Sequence, residues 1–218
     1  ATMTVTVGQA TPTFTWSNVA KTFGDANFAL IAPTVAGSVA GSWSYASATT
    51  AFISVSGSTA TVAGAGSSVI TATFTPTDTA NYVSGGTVTM TVTVGQATPT
   101  FTWSNVSASF GDADAAIVAP TVAGSVAGTW SYASATTSVV AISGSSFDFG
   151  NAGSSVITAT FTPSNTTNYV SGGTVTMTAT VGLSNQSALT VTSTTGVFGA
   201  SITLATSGGT VAGTPSYV

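Results

Sequence analysis

The sequence predicts an all-β protein made of consecutive two-layer sandwiches, each of about seven antiparallel strands. Three observations carry that expectation. Polar and apolar residues alternate with a period of two over long stretches. Turn-forming residues punctuate the chain at short, regular intervals. The whole pattern then repeats without a gap.

The alternation is clearest between Ser67 and Trp103. Ile70, Ala72 and Phe74 fall on one side of an extended chain, and Thr71, Thr73 and Thr75 on the other. After the bridge PTDTANYVSGG, Val88, Met90, Val92 and Val94 alternate with Thr87, Thr89, Thr91 and Thr93. Successive side chains of a strand leave opposite sheet faces, so this period marks half-buried strands. Threonine suits the wet face because it is β-branched and still bonds water. The Pro, Asp, Asn and Gly of the bridge suit a connection between antiparallel neighbours.

Taken in order, the strand candidates of one unit are 12–16, 28–33, 42–47, 51–56, 59–63, 68–75 and 87–94. Gly24-Asp25, Ala36-Gly37-Ser38, Gly57-Ser58 and Gly64-Ala65-Gly66 lie between them and supply the turns. Short strands at this spacing, with no helix-period segment, fit a two-sheet sandwich. A helical reading fails on propensity, since Thr, Ser, Gly and Val dominate.

The duplication sets the boundaries. GQATPTFTWSN begins at Gly8 and again at Gly95, and residues 8–94 align with 95–181 at 64 identical positions. The ATMTVTV of residues 1–7 matches the VTMTVTV of 88–94, so it reads as the last strand of a preceding repeat. Residues 182–218 read as an incomplete, diverged third repeat. There Leu189-Thr190-Val191 stands for Phe101-Thr102-Trp103, and Val197-Phe198-Gly199 for Ser109-Phe110-Gly111. Val211-Ala212-Gly213-Thr214 and Ser216-Tyr217 mirror Val126–Thr129 and Ser131-Tyr132.

Composition removes several function classes. Only 3% of the 218 residues carry a charged side chain: Lys21 and five aspartates, against about 25% in ordinary soluble domains. A chain so neutral lacks the basic footprint that nucleic acid or an anionic membrane surface requires. No apolar run approaches the roughly 20 residues of a membrane helix, so membrane insertion is not expected. With no cysteine there is no disulfide and no thiol nucleophile. Without His, Cys, Glu or Arg, the usual acid–base and nucleophile pairs cannot be assembled, so the chain is not expected to be an enzyme. Asp112 and Asp114 lie two apart, but the first repeat has Asn27 in place of Asp114, so the pair is not a feature of the unit.

GQATPTFTW, the FGDA turn, AGSSVITATFTP and NYVSGGTVTMTVTVGQA resemble tandem bacterial immunoglobulin-like domains. The likeness is greatest to the mostly-bacterial Ig repeats of very long secreted and surface proteins. QSALTVTSTTGVFGASITLATSGG resembles a sister repeat type from such proteins. The resemblance implies an extracellular or cell-surface bacterial protein whose sandwiches form a stalk, spacer or adhesive array, with no catalytic site. Near-identical units joined by the same GQATP linker should repeat one rotation and one translation, giving an elongated rod.

Several residues are candidates for more. Asp25, Asn27, Asp78, Asp112, Asp114 and Asn165 are loop oxygen donors of the kind calcium takes. The same residues serve simple turns by accepting from nearby backbone amides, and the third unit keeps the turn with Gly199-Ala200-Ser201 and no aspartate. The turn reading is therefore preferred, with no cofactor required. Trp16, Trp43, Tyr45 and Tyr82, with Trp103, Trp130, Tyr132 and Tyr169, could offer a platform for surface glycans. Alternation with small polar residues places most of them in the core instead, with Tyr82 the exception, in a loop. Thr71, Thr73 and Thr75 beside Thr89, Thr91 and Thr93 would form a hydroxyl grid able to order water or contact ice, although threonine suits any exposed strand and that plainer reading is preferred. Lys21 is the only possible donor for an isopeptide crosslink, and Ala108 replaces it in the second repeat.

The expected core comprises Phe14, Trp43, Ile53, Ile70, Phe74, Met90 and Val92. In the second repeat it comprises Phe101, Trp130, Ile142, Ile157, Phe161, Met177 and Ala179. Because Ala179 replaces Val92, neighbours must fill the space or leave a small void. Finally, sheet edges are normally guarded by charge, and here almost none is available. Self-association into a fibre or sheath is the partner expectation.

Overall fold

The computed structural model describes residues 1–208 except 186, 194, 203 and 204. The third-repeat matches at Val211–Thr214 and Ser216-Tyr217 lie outside the described residues. The first repeat contains β1 (Phe14–Thr15), β2 (Val19–Thr22), β3 (Phe28–Ala29), β4 (Thr34–Val35), β5 (Gly41–Ser47), β6 (Ile53–Ser56), β7 (Thr59–Val62), β8 (Gly66–Pro76) and β9 (Thr87–Gly95). They form a four-stranded sheet in the order β2-β9-β8-β5, a three-stranded sheet β3-β7-β6 and a two-stranded piece β1-β4.

The second repeat reproduces this with β10 (Phe101–Thr102), β11 (Val106–Ser109), β12 (Ala115–Ala116), β13 (Thr121–Val122), β14 (Gly128–Ser134), β15 (Val140–Ser143), β16 (Ser146–Phe149), β17 (Gly153–Pro163) and β18 (Gly173–Gly182). Its sheets run β11-β18-β17-β14, β12-β16-β15 and β10-β13. Beyond it, β19 (Leu189–Val191) pairs antiparallel with β20 (Thr206–Gly208). The fold is thus all-β, with two tandem β-sandwich domains of near-identical sheet pattern.

All seven expected strands are present, and the structure adds β2 and β4. The added β2 also breaks the antiparallel rule: it runs parallel to β9, pairing Val19 with Val92 and Lys21 with Val94. The chain gathers into two compact units whose border passes through the second repeat. One holds Ala1–Thr102, Pro120–Ser131 and Thr160–Val175; the other holds Trp103–Ala119, Tyr132–Ala159 and the residues from Thr176 onward.

In the first unit Leu30, Ile53, Ala60, Ile70, Met90, Val92 and Val94 form the buried core. In the second, Val139, Val140, Phe147, Ile157, Met177, Ala179 and Val181 do so. Phe14, Trp43, Phe101 and Trp130, expected inside, are only half-buried. Phe14 and Trp43 gather on the fully buried Phe74, with Trp43 centred 5.0 Å from Phe14 and 4.9 Å from Phe74. Sharing one buried ring leaves part of each outer ring in solvent. Ile142 is also half-buried, because it stands where the first repeat has Val55. Val140 takes the place of Ile53 and is 0% exposed.

The two cores exchange one large side chain across a strand pair. Phe28 of β3 faces Ala60 of β7, whereas Ala115 of β12 faces Phe147 of β16. Ala60 and Phe147 are both buried, and Phe28 is half-buried. Phe147 joins the same buried cluster as Ala179, whereas Phe28 packs against the first core as a partly buried neighbour. Volume-conserving exchanges are those a close-packed interior tolerates best.

A polar chain fixes the corner between the sheets. The Thr49 N–H donates to Ser68 Oγ at 3.0 Å, Ser68 and Ser47 hydroxyls lie 2.8 Å apart, and Ser47 donates to the Ile53 carbonyl at 2.6 Å. Ser134, Thr136, Val140 and Ser155 repeat it at nearly the same distances. Ser68 and Ser155 are buried, and this pairing answers the cost of burying their hydroxyls.

Candidate functional site

The residues that gather most purposefully lie around the GQATP linker, within the first compact unit. Ala97 pairs in parallel with Tyr169. Its N–H donates to the Asn168 carbonyl, and its own carbonyl accepts from Val170, both at 2.9 Å. The Gln96 side-chain amide donates to the carbonyls of Thr166 at 2.7 Å and Thr167 at 3.2 Å. A free loop is thereby clasped by the linker that precedes its repeat. Gln9 and Ala10 hold the Thr79–Val83 loop in the same way, through Gln9 to the Thr79 carbonyl at 2.8 Å and an Ala10–Tyr82 pairing.

The clasped loop then reaches the first repeat. Asn168 Oδ1 accepts the Ala65 N–H at 2.8 Å, and Ala65 is 8% exposed. The Tyr169 ring meets Phe23 nearly edge-on, with centroids 5.4 Å apart and planes at 86°. The Phe23 N–H donates to the Gly95 carbonyl at 2.9 Å, tying the same turn to the linker. Gly64 makes the approach feasible: a Cβ there would lie 2.8 Å from the Ala51 carbonyl and 3.5 Å from Asn168 Oδ1. One polar and one aromatic contact therefore link residues more than a hundred positions apart in the chain.

The calcium candidates are occupied with local turns. Asp25 Oδ2 accepts from the Thr22 N–H at 2.9 Å, and Asp112 Oδ2 from the Ser109 N–H at 2.7 Å. Asp78 accepts from the Ala80 and Asn81 N–H groups at 3.1 Å and from the Asn81 side-chain amide at 2.7 Å. Those bonds, the Asn81 side chain first, hold the Asp78 carboxyl below its ordinary value of 3.8. Asn165 Oδ1 accepts from the Asn168 N–H at 3.1 Å. Asn27 and Asp114 lie exposed. Among the described residues no three acidic or other metal-ligating side chains come together.

The aromatic candidates divide by position. Trp16 lies against Tyr45 at 5.7 Å, and Trp103 against Tyr132 at the same distance. Burial pushes both tyrosine hydroxyls above their ordinary value of 10.0. Each tryptophan indole N–H donates to a backbone carbonyl at 2.7 Å, Trp16 to Ile31 and Trp103 to Val118. Tyr82 and Tyr169 belong to the clasped loops. On the outer face of β8 and β9, Thr71 faces Thr89 and Thr73 faces Thr87, while Thr91 and Thr93 face Val69 and Ser67. Lys21 sits over the Phe28 ring, 4.8 Å from its centroid.

Sequence reasoning pointed to Tyr82, Tyr169 and the linker but not to Asn168, Phe23 or Ala65. The one available signal was that GQA and NYV recur together, once per repeat.

No protein-family model matches this sequence, and no curated protein sequence matches it either. Among solved structures the chain is similar to Drosophila N-cadherin EC1–4, at 12% identity and TM-score 0.38 over 80% of this chain and 50% of that one. It is similar to the insect immune protein hemolin at 12% identity and TM-score 0.39, over 79% and 47%. It is similar to the surface layer protein SbsC, domains 1–6, at 15% identity and TM-score 0.33, over 83% and 29%. The chain spans half or less of the length of these structures. Among the described residues no helix is long and apolar enough to cross a membrane.

Proposed function

We propose that the protein is a structural, extracellular array of bacterial Ig-like repeats of the mostly-bacterial type, working as a stalk, fibre or adhesin shaft. Its repeats occupy 8–94 and 95–181, after the last strand of another at 1–7 and before a diverged one from 182. The linker joint carries this reading. A spacer transmits position only if its joints resist bending. Gln96, Ala97, Asn168 and Tyr169 fasten the linker, the loop and the Phe23–Ala65 end of the first repeat together. The alternative, a chain of freely hinged modules, would need no such contacts. Side-by-side association of the rods belongs to the same proposal, since their strand edges carry almost no charge.

Small-angle X-ray scattering of the full chain tests the joint. The parent protein should give a narrow distribution of interatomic distances. Asn168→Ala combined with Tyr169→Ala should broaden it while leaving the β-sheet circular dichroism unchanged. Identical scattering from the two proteins would refute the role assigned to the joint.

A further inference from the structure

The first repeat contains a cavity of about 570 Å³ beside β2 and β3, within the roughly 300–1,000 Å³ typical of small-molecule sites. Its base reaches the buried Leu30 and Met90, 6% and 3% exposed. Trp16 and Phe28 supply aromatic surface, and Asn18 and Lys21 supply polar groups. The indole of Trp16 is fixed by its bond to the Ile31 carbonyl. Asn18 Oδ1 accepts the Thr91 N–H at 2.8 Å, which sets the direction of the side-chain amide and leaves its two N–H donors for a ligand.

Lys21 gives the cavity its character. It is the sole Lys or Arg of a chain with net charge −4, and it is half-buried. Its Nζ rests on the Phe28 ring, and among the described residues no carboxylate pairs with it. A cation over an aromatic face is attracted by the ring quadrupole, which holds the ammonium in place at the cavity. An entering anion therefore finds an uncompensated partner here, and no other Lys or Arg side chain competes with it. The second repeat has Ala108 for Lys21 and Ala115 for Phe28, so this chemistry belongs to the first repeat alone.

We propose that this cavity binds an acidic monosaccharide unit, a uronic acid residue. Its carboxylate pairs with Lys21, its hydroxyls take the Asn18 amide and the neighbouring Ser17 hydroxyl, and its C–H face lies against Trp16. A bare inorganic anion would leave most of the volume empty, and a wholly apolar ligand would leave the lysine unanswered. The inference goes beyond the structural reading and does not depend on the joint, so scattering and binding experiments fail independently.

The test is an NMR titration of the ¹⁵N-labelled full chain with glucuronate and galacturonate, using glucose, galactose and acetate as controls. The uronates should shift the Trp16 indole N–H saturably and leave that of Trp103 in place. Neutral sugars and acetate should bind at least about tenfold more weakly, as expected when a charge-assisted hydrogen bond or the ring contacts are missing. Lys21→Ala installs the residue found at the same position of the folded second repeat, and should weaken uronate binding by a similar factor with the rest of the spectrum unchanged. Lys21→Arg should retain binding. Absence of a saturable shift, equal binding of neutral sugars, equal shifts at Trp103, or an unaffected Lys21→Ala variant would each overturn the proposal.

Discussion

Replacing Phe147 with alanine should expose the volume exchange between the two cores. Phe147 is 3% exposed and shares the second core with Ala179, so its loss removes a whole buried ring at a place already short of a valine. Large-to-small changes of this kind cost about 3–5 kcal/mol, a large part of the stability of one domain. Ala115 faces Phe147 across the β12–β16 pair. Ala115→Phe alone should overpack that pair, at about 1–3 kcal/mol. Together the two changes recreate the first repeat's arrangement, where Phe28 faces Ala60, and should cost clearly less than their sum. Adding Ala179→Val completes the first repeat's set and should recover further stability, although by itself in the parent it should destabilise. Urea unfolding of the full chain, with hydrogen exchange of the 140–149 segment reporting the second repeat, measures each step. A double variant equal to the sum of its singles would refute the exchange, since coupled neighbours depart from additivity by roughly 0.5–3 kcal/mol.

Two further outcomes are expected. Asp78 has its pKa lowered in the folded state, so its contribution is present above the unfolded value and is lost as pH falls through the folded one. The amides of Ala80 and Asn81 should therefore lose protection, relative to their intrinsic exchange, as pH falls below the ordinary value of 3.8, whereas the Asn165 loop stays unchanged and Asp78→Asn removes the effect; equal acid responses in both loops would contradict this. Association of full chains, followed by light scattering, should persist with little change from low to high salt, because few charges exist to screen. A monomer at every concentration and salt would retire lateral assembly.

Much of the fold was legible because period-two alternation is local and long in β8 and β9. The omissions have physical causes. β4 is two residues long, too short to show a period, and β2 carries Lys21 on the side where an apolar residue would mark a strand. Ile142 reads as core from the sequence because a slip of two residues leaves a side chain on the same face. Alternation cannot detect such a slip, whereas the Val140–Phe149 pairing fixes the register. The joint was less legible still. Asn168 and Ala65 are 103 residues apart, and an amide oxygen meeting a backbone N–H leaves no hydrophobic pattern. The cavity announced itself only as an unusual solitary lysine, whose Phe28 perch depends on a cross-strand register that composition does not contain.

The parallel pairing of β2 with β9 has a mechanical consequence. Tension along the chain enters each repeat near its first strands and leaves through its last. It therefore draws β2 and β9 past each other lengthwise, from Val19 opposite Val92 to Thr22 opposite Gly95. The Thr91 bond to Asn18 and the Phe23 bond to Gly95 brace the two ends of that seam. Peeling a hairpin breaks its bonds one after another, but here the seam shares the load and must give way nearly at once. Rupture under load is governed by the rate of crossing that barrier and not by equilibrium stability. A domain whose modest core has little charge to support it can in this way still hold against a pull.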